Sequence, residues 1–378
     1  MKRRKWALAI SITAVALLVG WRLLPPEKKL YDLAKPVATT EGWLLEEDAI
    51  SPSAYAWISN SKIVFLQEIK KNGKVVRAEP RYQVVSTTRS PEPPFKFSRN
   101  ISIPCSSAIY MSPDGKWVKY SKLTEEQKET EPQIDDWTFI NLESGHTFKA
   151  NSSTQNIAMD SQNGSPWLYW NPSETGSERI AVSLKEDNPT KWRFCSQFPD
   201  GAAKREFFLK PPFPNANPMW HQTTTSGKLL FLEDEGYFFT SYNIYPTARL
   251  NFKIAEVDPN QSDSAPKIYT IALPYNYSYV AALPSPSGKK IVFAYTSDVT
   301  LLWNTLLRRI NPTFHFTRKY ASFIEVCNMD GSNRHEAAHE ELGPKGVGSI
   351  RLSDLKWLPN EKAVSFTHDG KLYVLRVD

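Results

Sequence analysis

One short phrase recurs along this chain and limits what it can fold into. It reads SPDGKWVKYSK at Ser112, PSPSGKKIVFAY at Pro284, TSGKLLFLED at Thr225, ISNSKIVFLQ at Ile58 and LPNEKAVSFTHDGKLYVLRV at Leu358. A looser copy, NPSETGSERIAVSL, begins at Asn171. Each copy is a turn of Ser, Pro, Asn, Asp or Gly, usually with a Lys, followed by an apolar run rich in β-formers. Gly or Asn supplies the positive φ of a tight turn, and Asp or Ser bonds the local backbone. Runs such as Ile291-Val292-Phe293 are continuous enough to be buried on both faces of a sheet. An aromatic often stands ahead of the turn, as at Tyr110, Trp170, Trp220 and Trp357. The copies recur roughly every 50–70 residues, enough for a four-stranded sheet and its loops. The composition agrees: 28 Pro and 12% aromatics suit many short strands joined by turns. A hydrophobic content of 41% with 23% charged excludes wholesale disorder.

The segments SPDGKWVKYSK, PSPSGKKIVFAY and VCNMDGSNRHE resemble the repeats of TolB-like (WD40-like) β-propellers. In those repeats S-P-D-G-K closes one strand, an apolar strand follows, and a later strand ends in a turn like N-x-D-G-S-N. The resemblance covers most of residues 41–378 as six copies, strong at the second, fifth and sixth and weak at the third. It implies an all-β, six-bladed β-propeller and says little about activity. The last copy offers three strands, IRLSDLKWL, KAVSFTH and KLYVLRV, up to Asp378. A fourth is expected from GWLLEEDAIS near residues 41–50, which would join the ends of the ring.

Ahead of the propeller the chain reads MKRRK, then sixteen uncharged residues from Trp6 to Trp21, then Arg22. That run makes about 24 Å of helix, and about 28 Å if Leu24 is included with Arg22 snorkelling outward. This approaches the hydrocarbon thickness of a bilayer. Trp6 and Trp21 fall where interfacial aromatics are favoured, and the KRRK cluster is expected to stay cytoplasmic. Leu17-Leu18-Val19-Gly20-Trp21-Arg22 makes a poor signal-peptidase site, so an uncleaved anchor is favoured over a removed signal. The expected order is a cytoplasmic tail over 1–5, a transmembrane helix over 6–24, a linker over 25–40 and a propeller over 41–378, outside the cytoplasm.

The net charge of +6 does not point to nucleic acid. Lys2, Arg3, Arg4, Lys5 and Arg22 contribute five of those charges, with no acid among residues 1–24. A body of net +1 has no broad footprint for phosphate backbones. Cys105, Cys195 and Cys327 are too few and too far apart for a disulfide framework. Buried free thiols are favoured, although one disulfide would suit an oxidising compartment.

His335-Glu336-Ala337-Ala338-His339 matches the zinc-protease pattern H-E-x-x-H. That chemistry needs a helix, so that both imidazoles share a face with the Glu beside the metal-bound water. Here the match follows a turn, MDGSN, and is stopped by Gly343-Pro344. The repeat instead makes it the outer strand or a frayed edge of the fifth blade. Glu361 stands at a usable sequence distance for a third ligand but falls in the turn of the last blade. A solvated edge is therefore favoured over a zinc site. No G-x-S-x-G, P-loop or G-x-G-x-x-G occurs, so no cofactor is expected. The acidic pairs Asp135-Asp136 and Glu233-Asp234-Glu235 lack calcium-loop spacing and read as solvated loops.

One insertion departs from the repeat. Between two strands of the fifth blade lies a segment over 297–320, in which Val299, Leu302, Trp303, Leu306 and Ile310 fall at helical spacing. Arg308 and Arg309 lie elsewhere on the wheel, and Pro312 ends the pattern. Such an insert either packs on the propeller flank or docks on a membrane or partner through residues such as Trp303, Leu306, Arg308 and Arg309. The whole reads as a membrane-anchored propeller that binds an envelope protein or peptide without catalysis. An enzyme with its site in the central funnel is the competing class.

Overall fold

The computed structural model describes residues 29–39, 43, 55–85, 97–98, 101–104, 108–112, 115–121, 137–149, 167–171, 179–185, 192–197, 205–209, 213, 221–226, 228–233, 251–258, 265–272, 277–298, 320–342, 355–368 and 370–378. One helical turn, α1 (Leu30–Leu33), precedes β1 (Lys35–Thr39). The first sheet then comprises β2 (Tyr55–Ser59), β3 (Lys62–Lys71), β4 (Lys74–Val84) and β5 (Ile103–Pro104). The second holds β6 (Ala108–Met111), β7 (Trp117–Ser121), β8 (Trp137–Asn141) and β9 (Thr147–Lys149). The third holds β10 (Trp167–Asn171), β11 (Arg179–Lys185), β12 (Trp192–Gln197) and β13 (Arg205–Leu209). The fourth holds β14 (His221–Thr223), β15 (Leu229–Glu233), β16 (Asn251–Val257) and β17 (Lys267–Ala272). The fifth holds β18 (Tyr277–Pro284), β19 (Lys290–Asp298), β20 (Tyr320–Asn328) and β21 (His335–Leu342). The last three strands are β22 (Lys356–Trp357), β23 (Ala363–His368) and β24 (Lys371–Arg376).

Each of the first five sheets is an antiparallel meander in chain order, and the last has the order β1-β24-β23-β22. A series of four-stranded meanders, the last completed from the N-terminal side, is β-propeller architecture. The completing strand is not the 41–50 segment. It is β1, paired antiparallel with β24 from Lys35↔Val374 to Thr39↔Lys371, with an irregularity between Pro36 and Ala38. The stretch 25–40, expected as linker, thus contains both α1 and this strand. Pro36 is tolerated because β1 is an edge strand, where a missing N–H costs no ladder bond. Of the 41–50 segment only Trp43 is described. It bridges Gln67 of β3 and stacks on Phe65 at 4.1 Å, so it serves the first sheet.

Among the described residues the continuous apolar runs sit where a sheet is covered on both faces, as the first, fifth and sixth are. Val64, Leu66 and Ala56 of the first sheet pack against Ile109, Met111 and Val118 of the second. Leu230, Ile254 and Ile271 of the fourth meet Ile291, Phe293 and Tyr295 of the fifth. The fifth turns Val292, Ala294 and Ile324 towards Trp357, Val364 and Phe366 of the sixth. The sixth presents Leu358, Ala363 and Leu372 to Tyr55, Trp57 and Ile63 of the first. The innermost strands β10 and β14 of the third and fourth sheets also lie together. Buried tryptophans tie these seams: Trp57 Nε1–H donates to Ser365 Oγ (2.8 Å) and Trp357 Nε1–H to the Leu283 carbonyl (2.8 Å). An indole buried this way keeps its polar edge satisfied while filling the seam.

The recurring turns touch one another from sheet to sheet. Thr225 N–H donates to the Pro286 carbonyl (2.8 Å), and Asn360 N–H to Asn60 Oδ1 (3.0 Å). Gly288, at φ +71°, sits so close to the preceding turn that a Cβ there would lie 2.6 Å from Thr224 Cγ2. Only glycine meets both demands without strain. These contacts put the first-to-second strand turns on one rim. In a meander the second-to-third connections leave from the opposite end of each sheet. There the lengths vary, from two residues, Asn72-Gly73, to the segments 122–136, 234–250 and 299–319.

The chain reaches β1 along the outside of the fifth and sixth sheets. Lys29 forms a parallel bridge with His339, and Leu30 is buried with Ala34 between the two sheets. The Tyr31 ring lies against His368 and Tyr373, at 4.9 and 5.4 Å between centroids. Among the described residues no helix is long and apolar enough to cross a membrane. The span expected over 6–24 lies outside them.

Candidate functional site

The H-E-x-x-H match falls on β21, the fourth strand of the fifth sheet, and not on a helix. Four residues span about 13 Å along a strand, against about 6 Å in a helix. The register separates the histidines further. His335 lies opposite Val326 and His339 opposite Phe323, while Ile324 pairs with Ala338 and Glu325 with Glu336. Ala337 is therefore the extra residue of a bulge, and the bulge reverses the alternation between the two histidines. Val326 belongs to the cluster facing the sixth sheet, and Phe323 packs on the cluster facing the fourth. Ladder partners share a face, so the two imidazoles project from opposite sides of the sheet. They cannot meet at one metal ion. Glu336, the base of the zinc-protease pattern, accepts a bond from His339 Nδ1–H (2.7 Å), and His335 Nδ1–H donates to the Asn333 carbonyl (3.0 Å). Glu361 is remote from both: its carboxylate accepts from Ser287 N–H (2.5 Å) and Ser287 Oγ–H (2.7 Å).

The bulge brings together a polar cluster that the sequence pattern does not announce. Glu325 on β20 accepts from Tyr295 Oη–H (2.8 Å) through one carboxylate oxygen and from Arg334 Nε–H (2.7 Å) through the other. Arg334 also donates from Nη1 to the carbonyl of Ala272, at the end of β17 in the fourth sheet. Its guanidinium lies over the Phe293 ring. Tyr295 is 5% exposed and stacks on Phe323 at 5.2 Å, and Phe323 lies 5.7 Å from His339. Burial, reinforced by the neighbouring Glu325 carboxylate, raises the tyrosine's pKa well above its ordinary range. The phenol thus stays protonated and donates. The arrangement is a clamp between the fourth and fifth sheets. Both Glu325 oxygens are committed within it.

Two lysines serve seams as well. Lys356 on the innermost strand β22 donates to the Tyr55 carbonyl, and its ammonium lies 4.2 Å from the Tyr55 ring centroid. Lys290 Nζ–H donates to the Glu361 carbonyl (3.3 Å), joining the fifth and sixth sheets. Cys327 is a buried free thiol whose burial pushes its pKa up to about 11. It therefore remains a protonated, unreactive packing group at neutral pH. Trp6, Trp21 and Arg22 of the expected anchor, and Trp303, Leu306, Arg308 and Arg309 of the insertion, lie outside the described residues.

Three solved structures resemble the chain over most of its length. The oligogalacturonate lyase of Vibrio parahaemolyticus is 9% identical, with 93% of this chain and 96% of that one covered and a TM-score of 0.44. The β-propeller domain of the Trilobed protease from Pyrococcus furiosus is 16% identical, with 84% and 79% covered and a TM-score of 0.36. The WD40 domain of SCAP from fission yeast is 9% identical, with 90% and 96% covered and a TM-score of 0.35. No family model and no curated protein matches the chain. At such identities and scores the propeller architecture rests on the chain's own sheets, turns and closing strand.

Proposed function

We propose that this chain is a six-bladed β-propeller, anchored through residues 6–24 on the outer side of the cytoplasmic membrane, that binds a protein or peptide of the cell envelope without catalysis. The observation that carries the reading is the division of labour between the rims. Turns on one rim are bonded to each other and hold the sheets in place. The opposite rim carries three of the long connections, 122–136, 234–250 and 299–319, while 85–102 returns to the first rim. Loops that vary over a rigid scaffold are where binding is usually built. Separation of the two histidines removes the one catalytic pattern that the sequence offered. The binding elements are the 297–320 insertion and its companions on that rim, with Trp303 and Leu306 as apolar anchors and Arg308 and Arg309 as cationic ones.

Crosslinking of the full-length chain in its native membranes tests this. One envelope protein is expected at about one copy per chain. Deleting 298–318 is expected to weaken that capture by about tenfold, or ~1.4 kcal/mol, with the thermal midpoint unmoved. A collapse of the midpoint would instead mean that the insertion packs on the propeller flank. Unchanged capture with unchanged stability would exclude the insertion from the interface.

A further inference from the structure

We infer that the outer edge of the fifth and sixth sheets, where the N-terminal segment docks, lies against the phospholipid headgroups of the membrane. The inference rests on the anchor proposed above and adds an orientation to it. Lys29 is fixed to the fifth sheet by its bridge to His339, and Leu30, 1% exposed, is buried in the seam between the fifth and sixth sheets. β1 then runs in the ladder of the sixth sheet. The segment therefore cannot swivel without breaking its contacts with both sheets. From Leu24, the end of the apolar span, to Lys29 there are five peptide steps, which reach at most about 18 Å. The headgroup layer of one leaflet takes up roughly 5–8 Å of that distance. What remains, about 10 Å, is too little for the propeller to stand clear of the bilayer.

The edge also has the chemistry of an interfacial surface. Leu33 in α1 is 44% exposed, with Lys29 and Lys35 exposed on either side of it. Pro36 is exposed next to them, and Asp32 is the acid within the turn. An exposed apolar side chain flanked by cations suits the boundary between acyl chains and anionic headgroups. The same placement leaves the face of the ring open sideways, so that a partner can approach it along the membrane.

The test uses the full-length chain in vesicles of phosphatidylethanolamine and phosphatidylglycerol containing nitroxide-headgroup lipid. A fluorescent amino acid is placed at Leu33 or, as a distant reference, at Glu143 in an exposed turn of the second sheet. Quenching of about twofold or more is expected at position 33 and little at 143. A 20-residue Gly/Ser spacer after Pro26, with a mean reach of about 25 Å, should release the quenching at 33. If the chain withstands alkali washing yet position 33 is unquenched, the orientation is wrong and the anchor stands. If alkali releases the chain, the anchor falls and the orientation falls with it.

Discussion

Replacing Leu30 by alanine is expected to lower the stability of the whole propeller by about 3 kcal/mol, as for other fully buried leucines. The side chain is 1% exposed and sits in one cluster with Ile324, Ala338, Trp357 and Leu375, drawn from two different sheets. Removing it leaves a cavity in a seam whose walls are sheets and cannot collapse far. The residue also holds the entry to β1. Its loss would loosen the strand that covers β24 and expose an unpaired edge. Leu33 is the internal control. It belongs to the same helical turn but is 44% exposed, so Leu33→Ala should stay within about 0.5 kcal/mol of the parent. Urea denaturation of both variants, compared at a common m-value, separates the two. Equal midpoints for the two substitutions would mean that the N-terminal segment does not lie in the seam.

Glu325→Ala is expected to cost about 2–3 kcal/mol, through the charge it leaves behind more than through the contact it removes. The side chains of Glu325 and Arg334 are 16% and 26% exposed. Without the carboxylate, Arg334 loses its ion pair while its bond to the Ala272 carbonyl still holds it over Phe293. Tyr295 loses the acceptor for its hydroxyl at the same time. Tyr295→Phe removes only one hydrogen bond and should cost about 1 kcal/mol. The exposed Arg376–Asp378 pair provides the contrast: Asp378→Ala should leave the midpoint where it is. The order Glu325→Ala, then Tyr295→Phe, then Asp378→Ala is the expected outcome. A Glu325→Ala variant as stable as the parent would dismiss the clamp.

Much of the scaffold is legible in the sequence because it is repeated. The S-P-x-G-K turns mark a short-range event, a tight hairpin with a fixed positive φ, and the apolar run after each reports burial on two faces. Val292 and Phe293 illustrate this, one facing the sixth sheet and the other the fourth. The identity of the closing strand was not legible. KPVAT contains a proline and a lysine and lacks an alternating pattern, because an edge strand needs few apolar contacts. Trp43, Leu44 and Leu45 look more like a strand, yet Trp43 is drawn to Phe65 of the first sheet. The histidine pair shows the same limit from the other side. Its strand setting follows from the turn ahead of it. The bulge at Ala337, which turns the two imidazoles to opposite faces, depends on pairing with β20 and leaves no local signature. The clamp is similar: Arg334, Glu325, Tyr295 and Ala272 come together only when the fourth and fifth sheets meet. A charged residue just after an MDGSN turn, opposite a glutamate in an otherwise apolar strand, is the only hint the sequence offers.

Hydrogen exchange of the full-length chain tests most directly whether β1 closes the ring through its pairing with β24. Amides of residues 35–39 that enter the ladder with β24 should exchange only when β23 and β24 do, at the free energy of global unfolding. If residues 35–39 exchange as fast as an unstructured peptide while β23 and β24 stay protected, the propeller is not closed in this way.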